Sequence, residues 1–210
     1  MAAFLSNIRY VAWTSLALGA IFLVWYALGA RGYSFTDSAF WEAALRWVHV
    51  FSGIMWIGLL YYFNFVQIPN VPKIPEEARG PAISKVIAPA ALFWFRWAAM
   101  STMVFGVLLA INQNYLLQAL SLGALDDPAF TVSKHTFIGI GMWMALIMWF
   151  NVWFVIWPNQ QKALNIANKY PDLDAAAKAA AGRTAMLFSR TNTLLSIPML
   201  VAMTGAQTLG

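Results

Sequence analysis

The chain has 210 residues, 61% of them hydrophobic and 10% charged, with 11 Trp, 15 Phe and no Cys. This composition excludes a disordered or ordinary soluble protein, and the missing cysteine excludes disulfides, thiolate metal ligands, iron–sulfur clusters and covalently attached c-type haem. The net charge of +5 is concentrated in loops, where anionic lipid headgroups account for it and no nucleic-acid footprint is needed.

Crossing the hydrocarbon core takes about 20 apolar residues, and such windows fall at 10–29, 43–66, 90–111, 135–157 and 186–206. The expected fold is therefore an all-α integral membrane domain with five transmembrane helices. The first window is long enough to span and lacks a small-residue cleavage site, so it is read as a retained helix rather than a signal peptide. The segment 67–89 is rich in Pro and charge and reads as a loop. Asp126-Asp127-Pro128, in the loop 112–134, reads as a turn and helix cap. In 159–185, Ala175 to Ala181 reads as a short surface helix, and Pro198 predicts a kink in the fifth helix.

Arg9, Lys73, Arg79, Lys85, Lys162, Lys169, Lys178 and Arg183 fall on one side of this topology, and Arg31, Arg46 and Lys134 on the other. The positive-inside rule makes 67–89 and 159–185 cytoplasmic loops. The expected location is a bacterial inner membrane, with the amino terminus cytoplasmic and the carboxyl terminus periplasmic.

The only two histidines open the second and fourth windows with one pattern, His49-Val50-Phe51-Ser52-Gly53 and His135-Thr136-Phe137-Ile138-Gly139. A glycine at i+4 lies on the histidine's own helical face, where it removes bulk beside a flat macrocycle bound to the imidazole. Bis-histidine ligation of one haem b by His49 and His135 is the sharper reading. An interhelical hydrogen bond from each histidine is the bland one.

The pattern belongs to a longer internal repeat. His49, Gly53, Trp56, Asn64 and Pro69-Asn70 recur in order as His135, Gly139, Trp143, Asn151 and Pro158-Asn159, and Phe95-Arg96 parallels Ser189-Arg190 in the next helix of each copy. A duplicated two-helix unit predicts that helices two to five form a four-helix bundle with a pseudo-twofold axis along the membrane normal.

Around the histidines, Arg46 and Lys134 stand at the rim, either as partners of haem propionates or as cations snorkelling to headgroups. Trp56 and Met142 lie below the two histidines as cavity walls or plain core. Asn64 lies about 22 Å below His49 at 1.5 Å per residue. There a second polar layer holds Asn64, Gln67, Arg96, Asn151, Arg190 and Asn192. Intramembrane ionisable groups are functional candidates, so Arg96 and Arg190, with Asn64 and Asn151, are read as a substrate, anion or quinone site. The plainer alternative is snorkelling with interhelical amide bonds. No Ser-His-Asp constellation, phosphate loop or dinucleotide fingerprint is visible.

The run Trp47-Val48-His49-Val50-Phe51-Ser52-Gly53-Ile54-Met55-Trp56-Ile57-Gly58, with Asn151-Val152-Trp153-Phe154-Val155-Ile156-Trp157-Pro158-Asn159-Gln160 and Ser189-Arg190-Thr191-Asn192, resembles the membrane domain of bacterial membrane-bound urate oxidases. More distantly, His-x-x-x-Gly-x-x-Trp-x-Gly looks like the copper-resistance CopD-type membrane proteins and the haem-carrying membrane protoporphyrinogen oxidases. The resemblance implies haem b at His49 with His135 as its partner. The urate-oxidising proteins end in a cytochrome c domain, whereas this chain has no Cys-x-x-Cys-His, so the expected electron acceptor is a separate cytochrome c, a larger membrane redox complex or a quinone.

Three functions are expected on these grounds. The first is a b-type cytochrome subunit that transfers electrons in a respiratory or other redox complex. The second is a urate oxidase-like oxidoreductase acting with a separate cytochrome c, and the third is a structural membrane subunit without cofactor.

Overall fold

Apolar runs determine where helices cross, but capping groups and helix propensity determine where they stop, and the two differ here by up to several turns. The computed structural model describes residues 2–126 and 133–209. Among these the chain is helical, with no strand. Five helices are long and apolar enough to cross a membrane: α1 (Ile8–Ala30), α2 (Ser38–Lys73), α3 (Glu76–Asn112), α4 (Lys134–Leu164) and α5 (Ala175–Thr208). A short helix, Leu116–Leu120, lies between α3 and α4.

The expected boundaries were too narrow at the end carrying 67–89 and 159–185. Most of 67–89 is helical rather than loop, and only Ile74 and Pro75 separate α2 from α3. Pro69 and Pro72 fall in the last turns of α2, where its geometry passes from π to α and then to 3₁₀. The alanine-rich stretch is not a separate surface helix. It forms the first turns of α5, capped by Asp174, whose Oδ1 accepts from Ala177 N at 2.7 Å. Alanine has the highest helix propensity, so the chain between cap and apolar run stays helical. Pro198 lies within continuous α5. Asn165, Ala167 and Asn168 have positive φ values and make the turn between α4 and α5.

Four of the helices pack as a ring. The most extensive contacts join α2 to α3 and α4 to α5, and smaller ones join α3 to α4 and α5 to α2. The core sits between them, around Trp56, Leu60, Phe95, Met148, Val152 and Ile156, each 2% exposed or less. By contrast Ile54 is 68% exposed and Leu194 75%. Large apolar side chains facing outward from a close-packed centre suit an apolar surround. The α-helical part of α1 buries no residue, and its Gly19 faces Trp47 of α2, so it lies beside the ring.

Four of the long helices contain a π segment, Trp25–Ala30 in α1, Tyr62–Gln67 in α2, Arg79–Ile87 in α3 and Asn151–Ile156 in α4, and those of α2 and α4 fall at matching places. Each of these last two contains a repeat-related asparagine, Asn64 or Asn151. A π bulge shifts the helical face downstream of it, so it re-aims the later side chains without ending the helix.

Candidate functional site

The histidine end of the bundle is built on a close approach between α2 and α3. His49 Nδ1 donates to the carbonyl oxygen of Thr102 at 2.8 Å. Because that acceptor is a carbonyl, the neutral ring carries its proton on Nδ1 and its lone pair on Nε2. Gly106, one turn along α3, makes the geometry possible: a Cβ there would lie 2.8 Å from His49 Cε1 and 2.9 Å from Nδ1. Thr102 turns its own hydroxyl back to Ala98 O at 2.8 Å. Ser52 and Ser101 add a hydroxyl pair at 2.7 Å across the same seam.

His135, in the first turn of α4, holds the Asp126 carboxylate through Nδ1. Its ring stacks on Tyr115, with centroids 5.8 Å apart and planes 14° from parallel. Burial raises the pKa of Tyr115, which follows the end of α3, where Asn112 Nδ2 donates to Ser38 O at the start of α2 at 3.1 Å. Arg46 and Glu42 form an ion pair at 2.8 Å. Both histidines therefore stand at one end of the bundle. Lys134 is exposed at the start of α4.

The two expected i+4 glycines occupy different settings. Gly53 faces α3, where a Cβ would meet Thr102 Cγ2 at an ordinary 3.8 Å. The room beside Gly139 is filled, since a Cβ there would lie 2.1 Å from the carbonyl oxygen of Ala119. That glycine seats the short helix Leu116–Leu120, which Thr136 and Trp143 also hold through Leu122 O at 2.9 Å and Leu120 O at 3.0 Å. Trp56 is in the main core and Met142 packs on a smaller cluster around Ala119, Ile138 and Ala206.

Sequence reasoning missed Thr102, Gly106 and Tyr115, and read Asp126 as a turn residue. The remainder of that expected turn, Asp127-Pro128, lies outside the described residues. A glycine facing a histidine across a seam has no local sequence signature; the acidic pair near a histidine was the available signal for Asp126.

At the opposite end the asparagines are tied to α5. Asn64 Nδ2 donates to Ser189 Oγ at 2.8 Å, and Asn151 Nδ2 to Asn192 Oδ1 at 2.8 Å. Asn192 is fully buried and donates onward to Met148 O at 2.9 Å. Arg96 does not join this layer. Its guanidinium lies 3.7 Å from the Trp157 ring centroid and 5.3 Å from that of Trp153, on the seam between α3 and α4. Arg190 is exposed on α5 and makes no hydrogen bond or ion pair among the described residues.

The described residues include no group of three or more His, Cys, Asp or Glu that would hold a bare metal ion. Each of the two histidines instead engages an oxygen acceptor through Nδ1, and Nε2 of neither takes part in those bonds.

Residues 127–207 match the family model described as urate oxidase N-terminal. No curated protein and no solved structure matches the chain. The match takes in His135, Asn151, Arg190 and Asn192 and leaves out His49 and Arg96. The matched stretch takes in α4 and α5, so the likeness to that family is confined to the second hairpin of the bundle.

Proposed function

We propose that this chain is a haem b-binding integral membrane protein that transfers electrons, as a subunit or partner of a membrane redox complex. One observation carries the reading. Each histidine commits Nδ1 to an oxygen acceptor, Thr102 O for His49 and the Asp126 carboxylate for His135, leaving Nε2 as the ligating nitrogen of each ring.

His49 and His135 would hold the group. When bound, haem b supplies a one-electron ferric–ferrous couple. The chain's own residues prepare for it. The Thr102 carbonyl fixes the tautomer and ring plane of His49, and the Asp126 carboxylate holds the His135 ring through Nδ1. Tyr115 covers one face of the His135 ring. The Arg46 cation at the rim, balanced by Glu42, and exposed Lys134 are the groups available to carboxylates at the surface. Apolar core below the histidines, beginning at Trp56, keeps water from that side.

Duplication of a two-helix unit accounts for the paired histidines, the matched π segments and the strong pairing within α2–α3 and α4–α5. The topology that goes with it puts the histidine end on the periplasmic side of a bacterial inner membrane. A visible spectrum of the purified protein tests the proposal. A reduced-minus-oxidised spectrum of low-spin haem b supports it, and protein that neither contains nor takes up haem overturns it. The family match favours a second reading, a urate oxidase-like oxidoreductase working with a separate cytochrome c. Urate consumption coupled to reduction of added cytochrome c separates the two.

A further inference from the structure

Among the described residues, Arg96 is the one cation packed against the tryptophans of the bundle; it is half-buried, and two of its donor nitrogens are unused. Its Nε and Nη1 are enclosed without an acceptor, and so is Nε1 of Trp153 beside it. The face of the guanidinium is satisfied by the Trp157 ring at 3.7 Å, but a ring face does nothing for N–H groups that point outward in the guanidinium plane. No carboxylate neutralises it, because the ion pairs among the described residues are Arg46–Glu42 and His135–Asp126. The unsatisfied acceptors nearest in kind, Asn64 Oδ1 and Gln67 Oε1, are on α2 and make no bond to it.

A cation with several directed, desolvated donors and no counter-charge is a site for an oxyanion. Its depth specifies which kind. Trp153 and Trp157 are about 28 and 34 Å from the start of α4 at 1.5 Å per residue, which places this seam at the far boundary of a hydrocarbon core about 30 Å thick. Tryptophan is enriched there, at the level of lipid phosphates. We propose that Arg96 and the Trp153 indole N–H, at the α3–α4 seam, bind a phosphate oxyanion at the inner membrane boundary. The proposal rests on the membrane reading but not on haem. It also departs from a paired Arg96–Arg190 site, since Arg96 is turned onto α4 and Arg190 faces outward. The phosphate comes either from a phospholipid headgroup or from solution.

The test uses the full chain, purified in detergent and stripped of lipid. In native mass spectrometry with added phosphatidylglycerol, the wild type retains one lipid that survives activation. Occupancy falls about tenfold or more in Arg96→Gln, the scale of a lost charge-assisted hydrogen bond. It falls less in Trp153→Phe, which keeps an aromatic side chain but removes the N–H with the five-membered ring, and it is unchanged in Arg183→Gln, which alters an exposed cation. A second arm measures thermal stabilisation by inorganic phosphate in lipid-free detergent. Stabilisation lost in Arg96→Gln, without a difference in lipid retention, assigns the oxyanion to solution. If Arg96→Gln does not fold, Trp153→Phe decides alone. Lipid retention and phosphate response equal to wild type in the folded variants overturn the site.

Discussion

The His49 imidazole donates from Nδ1 to the Thr102 carbonyl oxygen at 2.8 Å, across the seam between α2 and α3. A helical carbonyl has a second lone pair beyond the one its own helix uses, and Gly106 supplies the open surface that lets an aromatic ring reach it. The bond does two things: it joins two helices, and it decides which nitrogen of His49 is left to act.

Gly106→Ala tests that seat. The new Cβ would fall 2.8 Å from Cε1 and 2.9 Å from Nδ1 of the ring, so His49 must turn away or the helices must part. Overpacking of this kind costs about 1–3 kcal/mol. The expected outcome is weakened haem retention together with a lower melting temperature, read from the ratio of haem to protein after purification. Gly53→Ala, whose nearest contact is an ordinary 3.8 Å, should leave both nearly unchanged.

At the other histidine the partner is a side chain and can be altered without disturbing the backbone. Asp126→Asn keeps the shape and removes the charge. Loss of an outer partner of a ligating histidine typically costs about 10–100-fold in metal affinity, and haem titration of the apoprotein should show a drop within that range. Equal affinity would make the Asp126–His135 pair a structural contact only.

Asn192 joins α4 to α5 through Asn151 and Met148 and is fully buried. Interhelical hydrogen bonds in membranes average about 0.6 kcal/mol, with a maximum near 1.7, so Asn192→Leu, which removes two, is expected to cost about 1–3 kcal/mol. The measurement is unfolding in detergent, with the histidine-end spectrum unchanged because the lesion is at the far end of the bundle.

Much of this was legible from the residues. Windows of hydropathy located all five helices, because apolar length is what a bilayer selects. Their ends were misplaced where Ala175–Ala181 and 67–89 continue as helix through caps and prolines that hydropathy does not register. The repeat put Asn64 and Asn151 at matching places, and both fall in π segments, but their partners are not repeat-related: Asn151 bonds to α5 of its own hairpin and Asn64 to α5 of the other. It misled for the arginines, since repeat-related positions face different seams: Arg96 meets Trp157 of α4, whereas Arg190 is exposed. Thr102 was invisible because its functional atom is a backbone carbonyl, and Gly106 because its role depends on the register between α2 and α3.

Topology is tested by a reporter fused after Gly210. The asymmetry of Lys and Arg between the two ends predicts activity of a periplasmic reporter there, and activity of a cytoplasmic reporter inserted between Asn165 and Asp174.

The central claim is that His49 and His135 ligate one haem b. The most direct measurement is the reduced-minus-oxidised visible spectrum of purified wild type, His49→Ala and His135→Ala, at matched protein concentration and with helical content checked by circular dichroism. The account predicts a low-spin haem b spectrum in the wild type, lost or converted to high spin in each single variant. Unchanged haem content and spectrum in both variants would contradict it.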